Sequence, residues 1–140
     1  MTENTTFKRT LVTSALPYAN GHIHLGHIAG AYLPADIYVR YKRLRGERVL
    51  YIGGSDEHGV PITLSALKER VPPQEIIDRY HTANAAAFEG LGVSYDIYGR
   101  TSWDLHAGTT QAFFQKLDAA GHIYQEEMEL WYSPKFERFL

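Results

Sequence analysis

Ala15-Leu16-Pro17-Tyr18-Ala19-Asn20-Gly21-His22-Ile23-His24-Leu25-Gly26-His27 joins a short apolar strand to a long helix, and the rest of the 140-residue chain can be placed around it. On its N-terminal side, Arg9 to Ser14 reads as a strand, because Leu11, Val12 and Thr13 suit a pleated, half-buried surface. On its C-terminal side, Leu25, Ile28, Tyr32, Ala35 and Val39 recur at helical spacing and predict one buried stripe. A strand that turns into a helix start aims unpaired backbone N–H groups and the positive end of the helix dipole at one spot, which suits a phosphate. Asn20-Gly21 predicts a tight turn, since both residues tolerate positive φ. His24 and His27 share one face of the first helical turn and can reach the same ligand. Gly26, between them, leaves room for a flat group such as a base against the backbone.

Arg48 to Gly53 is the second expected strand, its run Val49-Leu50-Tyr51-Ile52 being that of a strand covered on both faces. Strand, helix, strand makes a crossover and a parallel pair, and ligands bind beyond the carboxyl ends of such strands. Ser14 to Tyr18 and Gly53 to His58 both emerge there, so they face one cleft. Asp56 is the carboxylate in that cleft, suited to an ammonium group or to capping the helix that Pro61 opens.

His-x-Gly-His after a first strand marks an α/β superfamily of nucleotidyl-transferring enzymes. The full run from Ala15 to His27 resembles the first signature of the methionyl-tRNA synthetases, which are class I aminoacyl-tRNA synthetases. Gly53-Gly54-Ser55-Asp56-Glu57-His58-Gly59-Val60-Pro61-Ile62 is similar to the segment that follows their second strand. The resemblance implies an α/β, Rossmann-like nucleotide-binding fold, of which residues 1–140 form the N-terminal half. It implies activation of methionine with ATP and charging of tRNA(Met) by the full-length protein, with Mg2+ accompanying ATP. His24 and His27 are then the catalytic pair on the phosphates. Pro17, Asn20, Gly21 and Gly26 complete the ATP site, with Gly26 beneath the adenine, and Ala15, Leu16, Tyr18 and Asp56 contact methionine. The zinc-bearing connective region, the second signature loop and the anticodon-binding domain of the family have no counterpart here. Zinc is expected only in that connective region, since this chain has no cysteine.

Composition agrees without adding detail. Fourteen Lys and Arg against sixteen Asp and Glu give a net charge of −2, so global charge does not point to nucleic acid. Residues 1–8 are polar and lack the apolar run of a signal peptide, and no stretch is long enough to cross a membrane. A cytoplasmic location is the expectation. A zinc site from His22, His24, His27, His58 and Asp56 is compatible with the His-x-x-His spacing, but a nucleotide explains Gly26 and Asn20-Gly21 better. Two further alternatives use the same residues. A stand-alone nucleotidyltransferase would need a basic phosphate-binding motif near its C-terminus, and none follows Gly121; a non-catalytic module would hold methionine or nucleotide without chemistry.

Along the rest of the chain, the first helix is expected to run to Arg45 and end at Gly46, with a kink or break between Gly30 and Pro34. Arg40, Lys42, Arg43, Arg45 and Arg48 then read as a solvated basic helix end rather than a tRNA contact. Pro61 opens a helix to Arg70, and Pro72-Pro73 opens another with Ile76, Tyr80, Ala83, Ala87 and Leu91 on one face, ended by Gly90 and Gly92. Asp96 to Arg100 is a third strand, and Ser102 is expected to cap a helix from Asp104 to Ala120, ended by Gly121. Ile123 to Tyr132 reads as a hairpin leading toward the connective insertion. His81, His106 and His122 are expected in solvent. A sheet order 3-2-1-4-5 would leave Arg9 to Ser14 with an open edge, through which the chain is expected to self-associate.

Overall fold

In the computed structural model, which describes residues 9–136, 138 and 139, the parallel sheet is built on its middle strand. β2 (Val49–Ser55) pairs in parallel with β1 (Thr10–Thr13) on one side and β3 (Ile97–Arg100) on the other. This is the three-strand half of a Rossmann-like sheet expected from the sequence, with β1 at its edge. β2 outruns the expected strand by Gly54 and Ser55. A Cβ on Gly53 would stand 2.4 Å from the Tyr95 ring, and one on Gly54 would stand 2.8 Å from the carbonyl oxygen of Gly99, its partner across the ladder. The two glycines carry no apolar signal, yet their missing side chains let β3 and Tyr95 close onto β2.

After β1, the helix comes in three pieces: α1 (Leu25–His27), a π-helical turn (Ile28–Tyr32) and α2 (Leu33–Leu44). Pro34 is the reason. It cannot donate to Gly30, so the turn widens, Leu33 N–H reaches back to the Ile28 carbonyl, and Pro34 becomes a first-turn residue of α2, where a missing N–H costs nothing. The anticipated kink is thus a π turn. Tyr32 and Val39 are buried as the stripe predicts, but Leu25, at the helix start, is exposed.

The basic helix end is not merely solvated. Arg40 pairs with Asp36 at 2.6 Å and donates to the Gly92 carbonyl. Arg43 reaches the Ser94 carbonyl at 3.0 Å and Asp96 at 2.7 Å, while Lys42 pairs with Glu47 at 2.7 Å. Asp36, which is buried, also accepts from the backbone and hydroxyl of Ser94. Burial alone would raise its pKa, but the hydrogen bonds from Ser94 and Arg40 outweigh that and hold it below the ordinary carboxylate value. These contacts latch α2 to the segment that enters β3.

α3 (Val60–Glu69) and α4 (Pro73–Gly90) follow β2. α3 ends with Arg70 at φ 58°, and Val71 N–H bonds back to the Ala66 carbonyl while its side chain packs on the core. Ile62, Ala66, Ile76 and Ile77 form that core together with Ala19 from the first loop. The buried face of α4 differs from the expected one. Leu91 is exposed, and Ile77, Asn84 and Phe88 are buried beside Ile76. Phe88 joins an aromatic cluster with Tyr32, Tyr95 and Tyr98, its ring centroids 4.7, 5.5 and 5.3 Å from theirs. Burial, with Tyr98 and Tyr51 nearby, pushes the Tyr32 phenol up to about 12.

The chain divides into two compact units, Met1–Ala107 and Gly108–Leu140. α5 (Asp104–Ala119) has no buried residue, and its Leu105, Phe113 and Phe114 lie exposed. Ser102 does not cap it, because its hydroxyl donates to Glu57. The hairpin lies later than expected: β4 (Tyr132–Ser133) pairs antiparallel with β5 (Arg138–Phe139). Pro134 sits inside a turn closed by Phe136 N–H on the Ser133 carbonyl, and that turn fixes the pairing where the weak alternation of Ile123 to Tyr132 does not.

Candidate functional site

The loop from Ala15 to His24 leaves β1 and is tied down at two separate places. In its first half, Asp56 N–H donates to the Pro17 carbonyl at 2.8 Å and Ala19 N–H to the Asp56 carbonyl at 2.9 Å, an isolated parallel bridge between Tyr18 and Asp56. The Ala19 side chain plugs the α3–α4 core. In its second half, Ile23 N–H donates to Asn84 Oδ1 at 3.2 Å and Asn84 Nδ2 to the Gly21 carbonyl at 3.4 Å. His22 stands edge-on to Tyr80 of α4, centroids 5.3 Å apart.

The expected turn is present at Ala19 to Gly21, but without positive φ at Asn20 or Gly21. Among the described residues Arg70 is the only non-glycine with positive φ, and Gly21 is not among the positive-φ glycines. Asp56 and Asn84 set the course of the loop instead, so Asn20-Gly21 follows ordinary backbone.

At the end of the loop, His24 is the N-cap of α1. Its Nδ1 accepts from Gly26 N–H at 3.1 Å, and His27 Nδ1 accepts from His24 N–H at 3.2 Å. This is a capping box made of two histidines, with rings stacked at 3.8 Å. A ring nitrogen that accepts carries no proton, so each neutral imidazole holds its hydrogen on Nε2. Two N–H donors are thereby presented side by side at a helix start, an arrangement suited to the oxygens of a phosphate. Gly26 has a role in this: a Cβ there would stand 3.0 Å from His24 Cε1.

Near Asp56, Leu16 and Tyr18 are about half exposed and so are open to a ligand. Tyr18 lies beside Gly59. Asp56 does not cap α3, whose N-cap is Gly59; its Oδ1 accepts from His58 N–H at 3.3 Å. That leaves carboxylate oxygen free for a cation beside the apolar pair. Pro17 lies between Leu16 and Tyr18, Asn20 and Gly21 run between Tyr18 and the histidines, and Ala15 stands exposed at the start of the loop. The residues expected to hold methionine and ATP thus lie along one loop, Pro17 of the ATP set standing between Leu16 and Tyr18, with Asp56 brought beside them from the end of β2. His106 and His122 are exposed and distant in sequence from the site, as expected.

Beneath Asp56 lies a polar network that sequence reasoning missed. The Glu57 side chain is fully buried and takes Arg100 Nε on both oxygens, at 2.7 and 2.9 Å, together with the Ser102 hydroxyl. Arg100 also reaches Asp78 of α4 at 2.6 Å. His81 is not in solvent: its Nδ1 lies 2.9 Å from Ser55 Oγ and 3.7 Å from Glu57, and its ring stacks on Tyr98. Burial, reinforced by Arg100, lowers its pKa below the ordinary histidine value despite Glu57 and Asp78. The network fixes the end of β2 from which Asp56 projects. Asn84 escaped notice as well, although a polar residue within an apolar helical stripe was the available signal.

Among the described residues, no group of three or more His, Asp or Glu converges on a metal position, and no helix is long and apolar enough to cross a membrane. Residues 10–140 match the family model described as tRNA synthetases class I (M). The methionine–tRNA ligase of Chlorobium luteolum is 60% identical over 134 residues, which are 96% of this chain and 19% of that protein. The methionine–tRNA ligase of Chlorobaculum tepidum is 59% identical over 133 residues, 95% of this chain and again 19% of the relative. Mycobacterium tuberculosis methionyl-tRNA synthetase, solved with methionyl-adenylate, superposes with a TM-score of 0.85 at 32% identity, covering 96% of this chain and 26% of that one. The chain therefore spans about a fifth of the length of the curated relatives it matches.

Proposed function

This chain belongs to the class I tRNA synthetases of the (M) family, and from that premise we propose that it supplies the first half of the site in which methionine is activated by ATP before transfer to tRNA(Met). The reaction joins a methionine carboxylate oxygen to the α-phosphorus of ATP and releases pyrophosphate. Positioning and charge stabilisation carry most of such a step.

The histidine capping box is the observation that supports this reading most directly. The His24 and His27 Nε2–H groups donate to phosphate oxygens as charge builds on them, in a geometry set before substrate arrives. Gly26 offers bare backbone to the adenine, and Pro17, Asn20 and Gly21 line the approach of ATP. Asp56 takes the methionine ammonium, while Ala15, Leu16 and Tyr18 meet the rest of the amino acid, Tyr18 with an aromatic face for the thioether. Mg2+ arrives on the ATP phosphates; the described residues offer it no ligand set of their own, and no step is assigned to it. A zinc-bearing region, tRNA contacts and a cytoplasmic location belong to the full-length ligase under this reading. The open edge of β1 gives the isolated chain a route to self-association, which light scattering over a concentration series would detect as a rising mass.

Methionine-dependent ATP–pyrophosphate exchange in the full-length ligase carrying this segment is the test. His24→Ala should lower the exchange rate by about 10²–10³-fold, and Asp56→Ala should chiefly raise the methionine KM. Exchange that survives both changes would refute the proposal.

A further inference from the structure

The loop backbone is held by two separate hydrogen-bonding anchors, one at each end. The Asp56 bridge holds Pro17 to Ala19, next to the residues proposed to meet methionine. Asn84 holds Gly21 and Ile23, the residues that run directly into His24. Gly21 and Ile23 take no rung of a helix or strand, and the side chain of one α4 residue hydrogen-bonds to the backbone of both.

Asn84 suits that task chemically. It is 1% exposed, within a face of α4 that otherwise buries Ile76, Ile77 and Phe88. Its planar amide offers an acceptor and a donor side by side, so one side chain can satisfy a backbone N–H and a backbone carbonyl two residues apart. Only one orientation of the amide does so: the oxygen faces Ile23 N–H and the nitrogen faces the Gly21 carbonyl. A buried amide left without these partners would be costly, so the loop and the side chain hold each other in place. The edge-on contact of His22 with Tyr80, one turn earlier on α4, holds the same stretch from a second point.

We propose that Asn84 is a positioning residue for the nucleotide half of the site: through Ile23 it sets the His24–His27 capping box against the phosphates, without touching the substrate and without influence on the methionine half. This rests on the functional reading above.

The experiment is exchange kinetics in the full-length ligase carrying this segment, with ATP and methionine varied separately, for Asn84→Leu and Asn84→Asp. Leucine keeps the shape and loses both hydrogen bonds. Aspartate keeps the acceptor for Ile23 and sets a carboxylate oxygen against the Gly21 carbonyl, so it decides the matter alone if the leucine variant fails to fold. Both are expected to lower kcat/KM for ATP, by roughly 10²-fold for leucine, the effect of an ångström-scale misplacement, while the methionine KM stays within about twofold. Amide exchange at Ile23 should quicken and that at Ala19 should not. Equal losses for both substrates, or unchanged ATP kinetics beside faster Ile23 exchange, would overturn the role of Asn84. His24→Ala and Asp56→Ala run alongside: if these impair exchange as expected and the Asn84 variants leave the ATP kinetics unchanged, this inference alone fails, whereas ordinary exchange in all four removes the functional reading itself.

Discussion

Replacing Gly26 by alanine should disable the histidine pair while leaving the fold almost intact. The added Cβ would stand 3.0 Å from His24 Cε1 and 3.1 Å from its Nδ1. Such atoms settle at about 3.5–4.0 Å, so the exposed ring must retreat by roughly half an ångström or more. The Gly26 N–H to Nδ1 bond is 3.1 Å long, and that retreat carries it to about 3.6 Å, beyond a useful hydrogen bond. The stability lost is that of one N-cap, about 1 kcal/mol. The activity lost is larger, because the Nε2–H group moves with the ring: roughly 10–10²-fold in the exchange rate, with little change in methionine KM. Gly30→Ala is the control, since no heavy atom lies within 4 Å of a Cβ built there. Thermal melts and ATP–pyrophosphate exchange on both variants read the two effects. A Gly26→Ala enzyme with ordinary exchange would refute the reasoning, as would one whose activity falls only as far as the Gly30→Ala control.

Three further outcomes follow from the surroundings of the site. Glu57→Ala strands Arg100 against a buried position and should cost about 3–5 kcal/mol in urea denaturation; a loss under about 1 kcal/mol would show that Asp78 and water take over the guanidinium. Arg70, at φ 58°, should be improved by Arg70→Gly, which relieves about 1 kcal/mol of left-handed backbone cost and raises the melting temperature. The lowered pKa of His81 means that the unfolded chain binds a proton first as pH falls through 6.5, so stability should decline from there toward the folded-state pKa and be unaffected above it. His81→Gln should flatten that slope, and an unchanged slope would place the titration elsewhere.

Much of the frame was legible because its signals are local. Val49 to Ile52 declare a buried strand by themselves, Pro34 announces a break, and Pro61 and Pro73 open helices where their missing N–H groups do no harm. The histidines were legible for a related reason, since their spacing puts them on one turn whatever the rest of the chain does. What could not be read is polar and distant. Glu57 meets Arg100 across 43 residues, Asp36 meets Ser94 across 58, and Asn84 meets Gly21 across 63. A charged or amide side chain looks solvated in sequence until the fold supplies its partner, and that is why Arg40, Arg43 and His81 read as surface groups and Asn84 does not declare its partners. The hairpin lies later for the same reason: the alternation from Ile123 to Trp131 has no partner strand among the described residues, whereas the short Tyr132–Ser133 strand is specified by the turn that follows it.

These two kinds of legibility divide the site itself. Apart from Asp56, the groups expected to touch ligand sit in one contiguous run from Ala15 to His27, because phosphate, base and ammonium each demand a residue type that the sequence displays. The groups that hold the loop still come from three other places: the Asp56 backbone at the end of β2, Asn84 and Tyr80 on α4, and the α3–α4 core that receives the Ala19 side chain. A loop with so little hydrogen bonding of its own would be mobile in isolation, and a donor pair that wanders by an ångström loses most of its effect. The precision of the histidine pair is therefore a property of α4 and β2 as much as of the motif, and substitutions in those elements should alter the chemistry without touching a ligand.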